Sequence, residues 1–215
     1  RVDVSAMIEG FSFGDITSVA VDTNHNRIAV AVQAAAYDQA GAILLLDYDG
    51  NYIAHYAAGV QPDMVTFSPN GNYVLSANEG EPREGYEGGA TDPQGSVTVV
   101  NLSAETPAAN TIDFTAWDSQ RADLLAENVI LKQGLNPSTD FEPEYIAVDS
   151  ASETAYVALQ EANAIATLDL ASGTFTDISS LGFKNHLLDN NEIDAIKDDS
   201  INIKWENLRG VYMRD

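Results

Sequence analysis

The chain has 215 residues, a formal net charge of −23 and no cysteine. The absence of cysteine excludes disulfides, thiolate metal sites and cysteine nucleophiles. The negative charge argues against nucleic acid and anionic membrane surfaces as partners, because its field repels both. No apolar run approaches the length of a membrane-spanning helix, so we expect no membrane insertion of this segment.

The chain begins with a short apolar segment and then a first group of four β-prone runs. We expect residues 1–13 to be the tail of an earlier strand. The four runs are rich in valine, isoleucine and alanine, alternate in polarity and are separated by turn residues, which is the pattern of antiparallel strands. They predict strands over residues 18–22, 27–32, 42–47 and 52–56.

The second group is the clearest copy of the same unit. It predicts strands over residues 64–68, 73–77, 96–101 and 111–114. Between its first two strands lies Ser68-Pro69-Asn70-Gly71-Asn72, where Asn-Gly predicts a tight turn with a positive φ. An acidic, glycine-rich insertion, residues 80–95, separates its second and third strands.

A third group predicts strands over residues 145–149, 155–159, 164–169 and 174–178. Two segments interrupt the pattern, residues 115–141 and 181–209, and the first of them has Asp118 as the predicted N-cap of a helix. Residues 210–215 resemble the approach to a first strand. We therefore expect a further repeat to begin there.

Four short antiparallel strands that recur every 40–45 residues or so are typical of β-propeller blades. The fold class is therefore all-β, a single partial propeller domain with blades at about residues 15–57, 61–114 and 142–180. Because propellers close with about 4–8 blades, we expect the chain to be part of a longer protein, or the missing blades to come from another copy.

Oxygen-bearing side chains gather where the first strand of each blade begins and the second ends. Both points lie at the same end of a blade, because the two strands are antiparallel. Thr17, Asp63 and Glu144 occupy one equivalent position in the three repeats. Carboxylates and amides without cysteine suit a hard cation, Ca²⁺ above all. The predicted metal ligands are Asp63, Asn78, Glu79, Glu81, Glu142, Glu144, Gln160 and Glu161.

Two functions fit this pattern. The first is a non-catalytic module that binds a protein, a glycan or an ion through the acidic face, and we favour it. The second is a Ca²⁺-dependent phosphoesterase resembling propeller phytases, which needs a basic side chain to hold phosphate. Lys184 and His186 form a weaker candidate ligand site of this kind, and Arg83 and Lys132 are the other basic residues near acidic segments. The plainer alternative is that polar strand ends face solvent.

Several long motifs resemble one family. They are GVQPDMVTFSPNGNYVLSANEGEP, DFEPEYIAVDS with AYVALQEANAIATLDL, and LGFKNH with the closing GVYMRD. These motifs resemble the choice-of-anchor I family, bacterial secreted or surface β-propellers that are similar to mesenchyme-specific cell-surface glycoprotein and often labelled alkaline-phosphatase-like. The resemblance implies a secreted or cell-surface location and the N-terminal part of a longer propeller. It brings no catalytic residue to this chain.

Overall fold

The structure, a computed structural model, describes residues 2–85, 91–186, 188, 191, 194 and 199–201. The chain divides into two compact units, Arg1–Ser180 and Leu181–Asp215. The first unit contains three four-stranded antiparallel sheets, and in each of them the strands follow one another in chain order. The predicted start of a further repeat, residues 210–215, lies outside the described residues.

The predicted strands are confirmed in all three sheets. The first sheet comprises β1 (Phe13–Asp22), β2 (Arg27–Ala34), β3 (Ala40–Asp47) and β4 (Tyr52–Val60). The second comprises β5 (Pro62–Phe67), β6 (Tyr73–Asn78), β7 (Ser96–Asn101) and β8 (Ala109–Asp113). The third comprises β9 (Pro143–Val148), β10 (Thr154–Leu159), β11 (Ala164–Asp169) and β12 (Thr174–Ser180). Gly71 has a φ of 72°, as the Asn-Gly turn predicts.

The three sheets stack on one another through apolar faces. We call the face that turns towards the next sheet along the chain the forward face, and the opposite one the backward face. The forward face of the first sheet packs on the backward face of the second around Ala31, Ile43 and Val74. The second packs on the third in the same way around Leu75 and Val157. With β1 beside β5 and β5 beside β9, the sheets are blades of a β-propeller.

The N-terminal segment is not the strand that the sequence predicts. Residues 2–12 form turns, and the first strand begins at Phe13. Val4 and Ile8 are buried against Val30 and Leu44 on the backward face of the first blade. This face is apolar and no blade precedes it in the described chain, so covering it removes more apolar surface from water than pairing at a sheet edge would.

The insertion between the second and third blades also differs from expectation. Its helices are a 3₁₀ turn (Thr115–Gln120), α1 (Arg121–Ala126) and α2 (Pro137–Asp140). Asp118 is not the predicted helix cap, because its carboxylate accepts hydrogen bonds from the amide and hydroxyl of Ser138, both at 2.9 Å. Phe141, at the end of the insertion, contacts Phe114 edge-on with ring centroids 5.2 Å apart. The insertion is thus part of the core between two blades.

Among the described residues, no helix is both long enough and apolar enough to cross a membrane.

Candidate functional site, an acidic face

Each inner strand contains a one-residue bulge at the same position. The pairing skips Thr17 in β1, Asp63 in β5 and Glu144 in β9, while the neighbours on both sides remain paired. A bulge of this kind leaves one residue out of the ladder and redirects its side chain. The Thr17 hydroxyl reaches the neighbouring blade, where it donates to the backbone oxygen of Pro62 at 2.6 Å. The repeat therefore presents one redirected side chain per blade at the end where the inner strands begin.

Six of the eight predicted ligands lie close enough together to repel one another. Burial, followed by repulsion from Glu144, Glu81 and Asp63, raises the pKa of Glu79 to about 8. Burial, followed by repulsion from Glu161 and Asp63, raises the pKa of Glu144 to about 7. Near pH 7 both carboxyl groups therefore carry a proton for a large part of the time. The acidic cluster consists of Asp63, Glu79, Glu81, Glu142, Glu144 and Glu161.

One edge of the acidic cluster is joined to a lysine. Burial raises the pKa of Glu142, and this effect exceeds the opposing attraction of Lys132, whose Nζ lies 3.2 Å from Glu142 Oε1. The same Nζ lies 3.7 Å from Oδ1 of the buried Asp140. Asp140 Oδ2 accepts the Lys132 backbone amide at 2.6 Å. Asp140 is absent from the sequence prediction, because nothing in the pattern of the insertion shows that its second helix ends beside Glu142.

Gln61 fixes the position of Glu81. Its buried side chain donates to the backbone oxygens of Tyr37 at 2.9 Å and of Glu81 at 2.8 Å. Its Oε1 accepts the Glu81 amide at 3.1 Å. Gln61 therefore joins the loop after β2 to the insertion after β6. Arg83 lies beside the same insertion residue, with its Nε 3.6 Å from Glu81 Oε2.

Of the two predicted amide ligands, Asn78 is engaged elsewhere. The Asn78 side chain is fully buried, and its Nδ2 donates to the hydroxyls of Ser96 and Thr98 at 3.2 and 3.0 Å. Its Oδ1 accepts from Ser76 at 2.8 Å. Asn78 is therefore committed to a polar network inside the second blade, which the sequence could not distinguish from a surface ligand. Gln160 is exposed after β10.

Lys184 and His186 lie in the second unit, where Lys184 is exposed and His186 is buried. The His186 Nδ1 contacts the backbone oxygen of Asn191, and the Asn191 amide group donates to the Asn185 backbone oxygen at 3.2 Å. The His186 ring therefore makes its contact within its own segment. The two side chains do not form one exposed basic surface.

No three or more histidine, aspartate or glutamate side chains within the described part of the chain are arranged to hold a metal ion. The acidic cluster is consequently loose: its carboxylates repel one another from nearby positions without converging on one point. A cation would have to draw them together. Side chains that follow strands or stand at bulges can do so by changing rotamer, because the ladder does not restrain them.

The three stacked four-stranded sheets define the class of protein as a β-propeller. The sequence profile of the choice-of-anchor I domain matches residues 2–215, and the chain belongs to this family. No curated protein matches the chain in sequence.

Three solved structures are similar to the chain at low sequence identity. The Cps50 (Swd1) β-propeller domain of Myceliophteria thermophila is 10% identical with a TM-score of 0.49, over 78% of this chain and 42% of that one. The hydrazine synthase of Kuenenia stuttgartiensis is 11% identical with a TM-score of 0.46, over 71% and 39%. A eukaryotic initiation factor is 14% identical with a TM-score of 0.46, over 83% and 34%. The chain spans less than half the length of each.

Proposed function

We propose that this chain is an extracytoplasmic propeller module that binds a cation, Ca²⁺ in the first instance, through the acidic cluster, and that this face receives the protein's partner, a protein or a glycan. One observation carries the proposal. Burial, and after it repulsion within a cluster of six carboxylates from two blades and one insertion, raises the pKa values of Glu79 and Glu144 to about 8 and about 7. The extracytoplasmic location rests on the family alone.

Binding of a cation would relieve the repulsion within the acidic cluster. Clustered, partly buried carboxylates are unfavourable as charges, so the protein retains protons there unless a cation replaces them. A hard divalent cation with oxygen ligands is the best replacement, because Ca²⁺ accepts six to eight or so oxygens in flexible geometry. Binding then releases protons, since ligating carboxylates must be ionised. Affinity is expected to rise between pH 6 and about pH 8, where Glu79 and Glu144 ionise.

The phosphoesterase alternative needs a free basic side chain beside the metal. Arg83 lies 3.6 Å from Glu81 and 4.0 Å from Glu79, and Lys132 lies 3.2 Å from Glu142. Each of these cations is already engaged by carboxylates. The contacts around the acidic cluster therefore favour binding over phosphate ester hydrolysis. We expect no turnover of a chromogenic phosphate ester in the presence of Ca²⁺.

A calcium titration by calorimetry at pH 8, run in two buffers with different ionisation enthalpies, tests the proposal. We expect a heat of binding that differs between the buffers, because protons leave Glu79, whose pKa of about 8 leaves it partly protonated at this pH. The double variant Glu79→Gln with Glu144→Gln should bind Ca²⁺ at least about tenfold more weakly, which is a loss of about 1.4 kcal/mol in binding free energy.

The matched control is Glu105→Gln with Glu153→Gln, which removes the same charge from exposed positions outside the acidic cluster. Its affinity should stay within about twofold of the parent chain, a difference of about 0.4 kcal/mol. Equal weakening in both double variants would show only a general effect of charge. Absence of calcium binding in the parent chain at pH 8 would refute the cation site.

A further inference from the structure

A cavity lies between the second and third blades, at the end opposite the acidic cluster. Its volume is about 170 Å³. One wall includes Tyr73, Asn101 and Asn110 of the second blade, and the other is the turn after β11, residues 170–173. Tyr73 begins β6 and Asn101 ends β7, whereas Glu79 follows the end of β6. The cavity and the acidic cluster are therefore separate places on the same blades.

The cavity is neutral, although the chain has a net charge of −23. None of the nine described residues that line it is charged. The third strands of the three blades end at Asp47, Asn101 and Asp169, so the second blade has an amide where the other two have carboxylates. On the outer strand, Asn110 stands where the third blade has Asp177. The second blade thus presents amides at two positions that are acidic elsewhere in the repeat.

Three side chains of this wall have hydrogen-bonding groups that no residue in the described part of the chain uses. The Tyr73 hydroxyl and the Asn110 amide group make no hydrogen bond there. Asn101 uses its Oδ1 to accept from the amide and the hydroxyl of Ser103, at 3.0 and 2.7 Å, and keeps its Nδ2 as a donor. Amides and hydroxyls supply both donors and acceptors. The wall can therefore bind a ligand that carries several hydroxyl groups.

Gly173 keeps room for the Asn110 amide on the opposite wall. A Cβ atom at this position would lie 2.7 Å from Asn110 Nδ2. The φ of Gly173 is 64°, a left-handed conformation that glycine adopts without steric cost. The turn after β11 therefore approaches Asn110 closely, while Asn110 itself remains exposed.

We propose that this cavity binds one ring of a neutral carbohydrate. Tyr73, Val99 and Leu170 supply apolar surface for the C–H groups of the sugar, and the amides and the tyrosine hydroxyl bind its hydroxyl groups. Sites for drug-sized ligands start at about 300 Å³, so the smaller volume suits a single ring. An anionic ligand is disfavoured, because the net charge repels it and no basic side chain lines the cavity. A cation is disfavoured as well, because the lining offers it no carboxylate.

Saturation-transfer NMR on the 215-residue chain tests the proposal, in EDTA so that no cation is bound at the acidic cluster. The probes are glucose, galactose, mannose and N-acetylglucosamine, with glucuronate as the charged counterpart of glucose. We expect transfer to at least one neutral sugar with a Kd of about 1 mM when each probe is used at about 10 mM. Glucuronate should bind at least about tenfold more weakly than that sugar.

Two variants assign the binding to this cavity. Tyr73→Phe with Asn110→Ala removes one hydroxyl and one amide and should weaken sugar binding at least about tenfold, because two hydrogen bonds are lost. Ala108→Trp, at an exposed position of the lining, should fill the cavity and abolish binding. The control, Tyr156→Phe with Gln133→Ala, makes similar changes at exposed positions elsewhere and should bind like the parent chain.

Melting curves by circular dichroism show whether each variant is folded. Three outcomes would overturn the proposal: no transfer to any of the four neutral sugars, undiminished binding in Tyr73→Phe with Asn110→Ala, or glucuronate binding as tight as that of the best neutral sugar. The experiment is independent of the cation site. Failure to bind Ca²⁺ would leave the sugar result unchanged, and absence of sugar binding would leave the calcium titration unchanged.

Discussion

Glu79 and Glu144 connect the site to the stability of the fold. Their pKa values in the folded chain are raised to about 8 and about 7 from a reference value of 4.5. Between pH 4.5 and pH 8 the folded chain therefore holds protons that the unfolded chain has released. The free energy of unfolding falls with pH wherever the folded state binds more protons. These two groups thus destabilise the fold as the pH rises through this window.

We accordingly expect the parent chain, without calcium, to melt at a higher temperature at pH 5.5 than at pH 8. In the double variant Glu79→Gln with Glu144→Gln the difference should shrink, because glutamine does not titrate. The measurement is a melting curve by circular dichroism at both pH values in EDTA. A parent chain that melts at a higher temperature at pH 8 would contradict the raised pKa values.

Gln61 gives a second prediction for a single residue. Its side chain makes three hydrogen bonds to the backbones of Tyr37 and Glu81, and its φ is 54°. Alanine at this position keeps the same backbone strain but removes all three hydrogen bonds, two of which join backbone oxygens. The free energy of unfolding should fall by about 1–3 kcal/mol. Urea denaturation measures the change, and Gln133→Ala in an exposed loop is the control; equal losses in both variants would contradict the role of Gln61.

At the scale of the element, the N-terminal segment acts as a cover for the first blade. Val4 and Ile8 are 8% and 9% exposed, and they pack against β2 and β3. The inner strand of the same blade stays open, since Val19 and Val21 are 59% and 56% exposed. The segment therefore covers the two middle strands on the backward face and leaves the inner strand accessible.

Truncation of Ile8 should reveal this role. Ile8→Ala is expected to lower the free energy of unfolding by about 2–4 kcal/mol, as for other buried isoleucines. Ile53→Ala on the outer strand β4, where the side chain is 46% exposed, should lower it by much less. Urea denaturation of both variants gives the comparison. Similar small losses would mean that the segment is not anchored on the blade.

The elements also show what the sequence could and could not predict. The alternation of polarity and the turn residues predict the strands. They also predict the strand ends closely enough to place Glu79 and Glu144 at one end of the blades. The bulges at Thr17, Asp63 and Glu144 do not follow, because an extra residue shifts the pairing without changing the pattern of polarity. The commitment of Asn78 to a buried polar network does not follow from the sequence either, because such a network has no signature in either strand alone.

At the scale of the whole molecule, the net charge of −23 is a source of instability. A chain so far from neutrality repels itself in the compact state. Salt shortens the range of this repulsion, from about 30 Å at 0.01 M to about 8 Å at 0.15 M ionic strength. We expect the melting temperature at pH 7 to rise as NaCl increases over this range, and calorimetry would measure it. A flat or falling curve would mean that local ion pairs outweigh the overall repulsion.

The bulged residue of each inner strand can be exchanged without loss of strand pairing. Thr17, Asp63 and Glu144 stand outside the ladder, so exchanging one of them breaks no backbone pairing. Each blade can therefore change the charge that it contributes independently of the other two. A threonine in one repeat and acids in two others, on nearly the same scaffold, show that this position accepts different side chains without a change in the strand pairing.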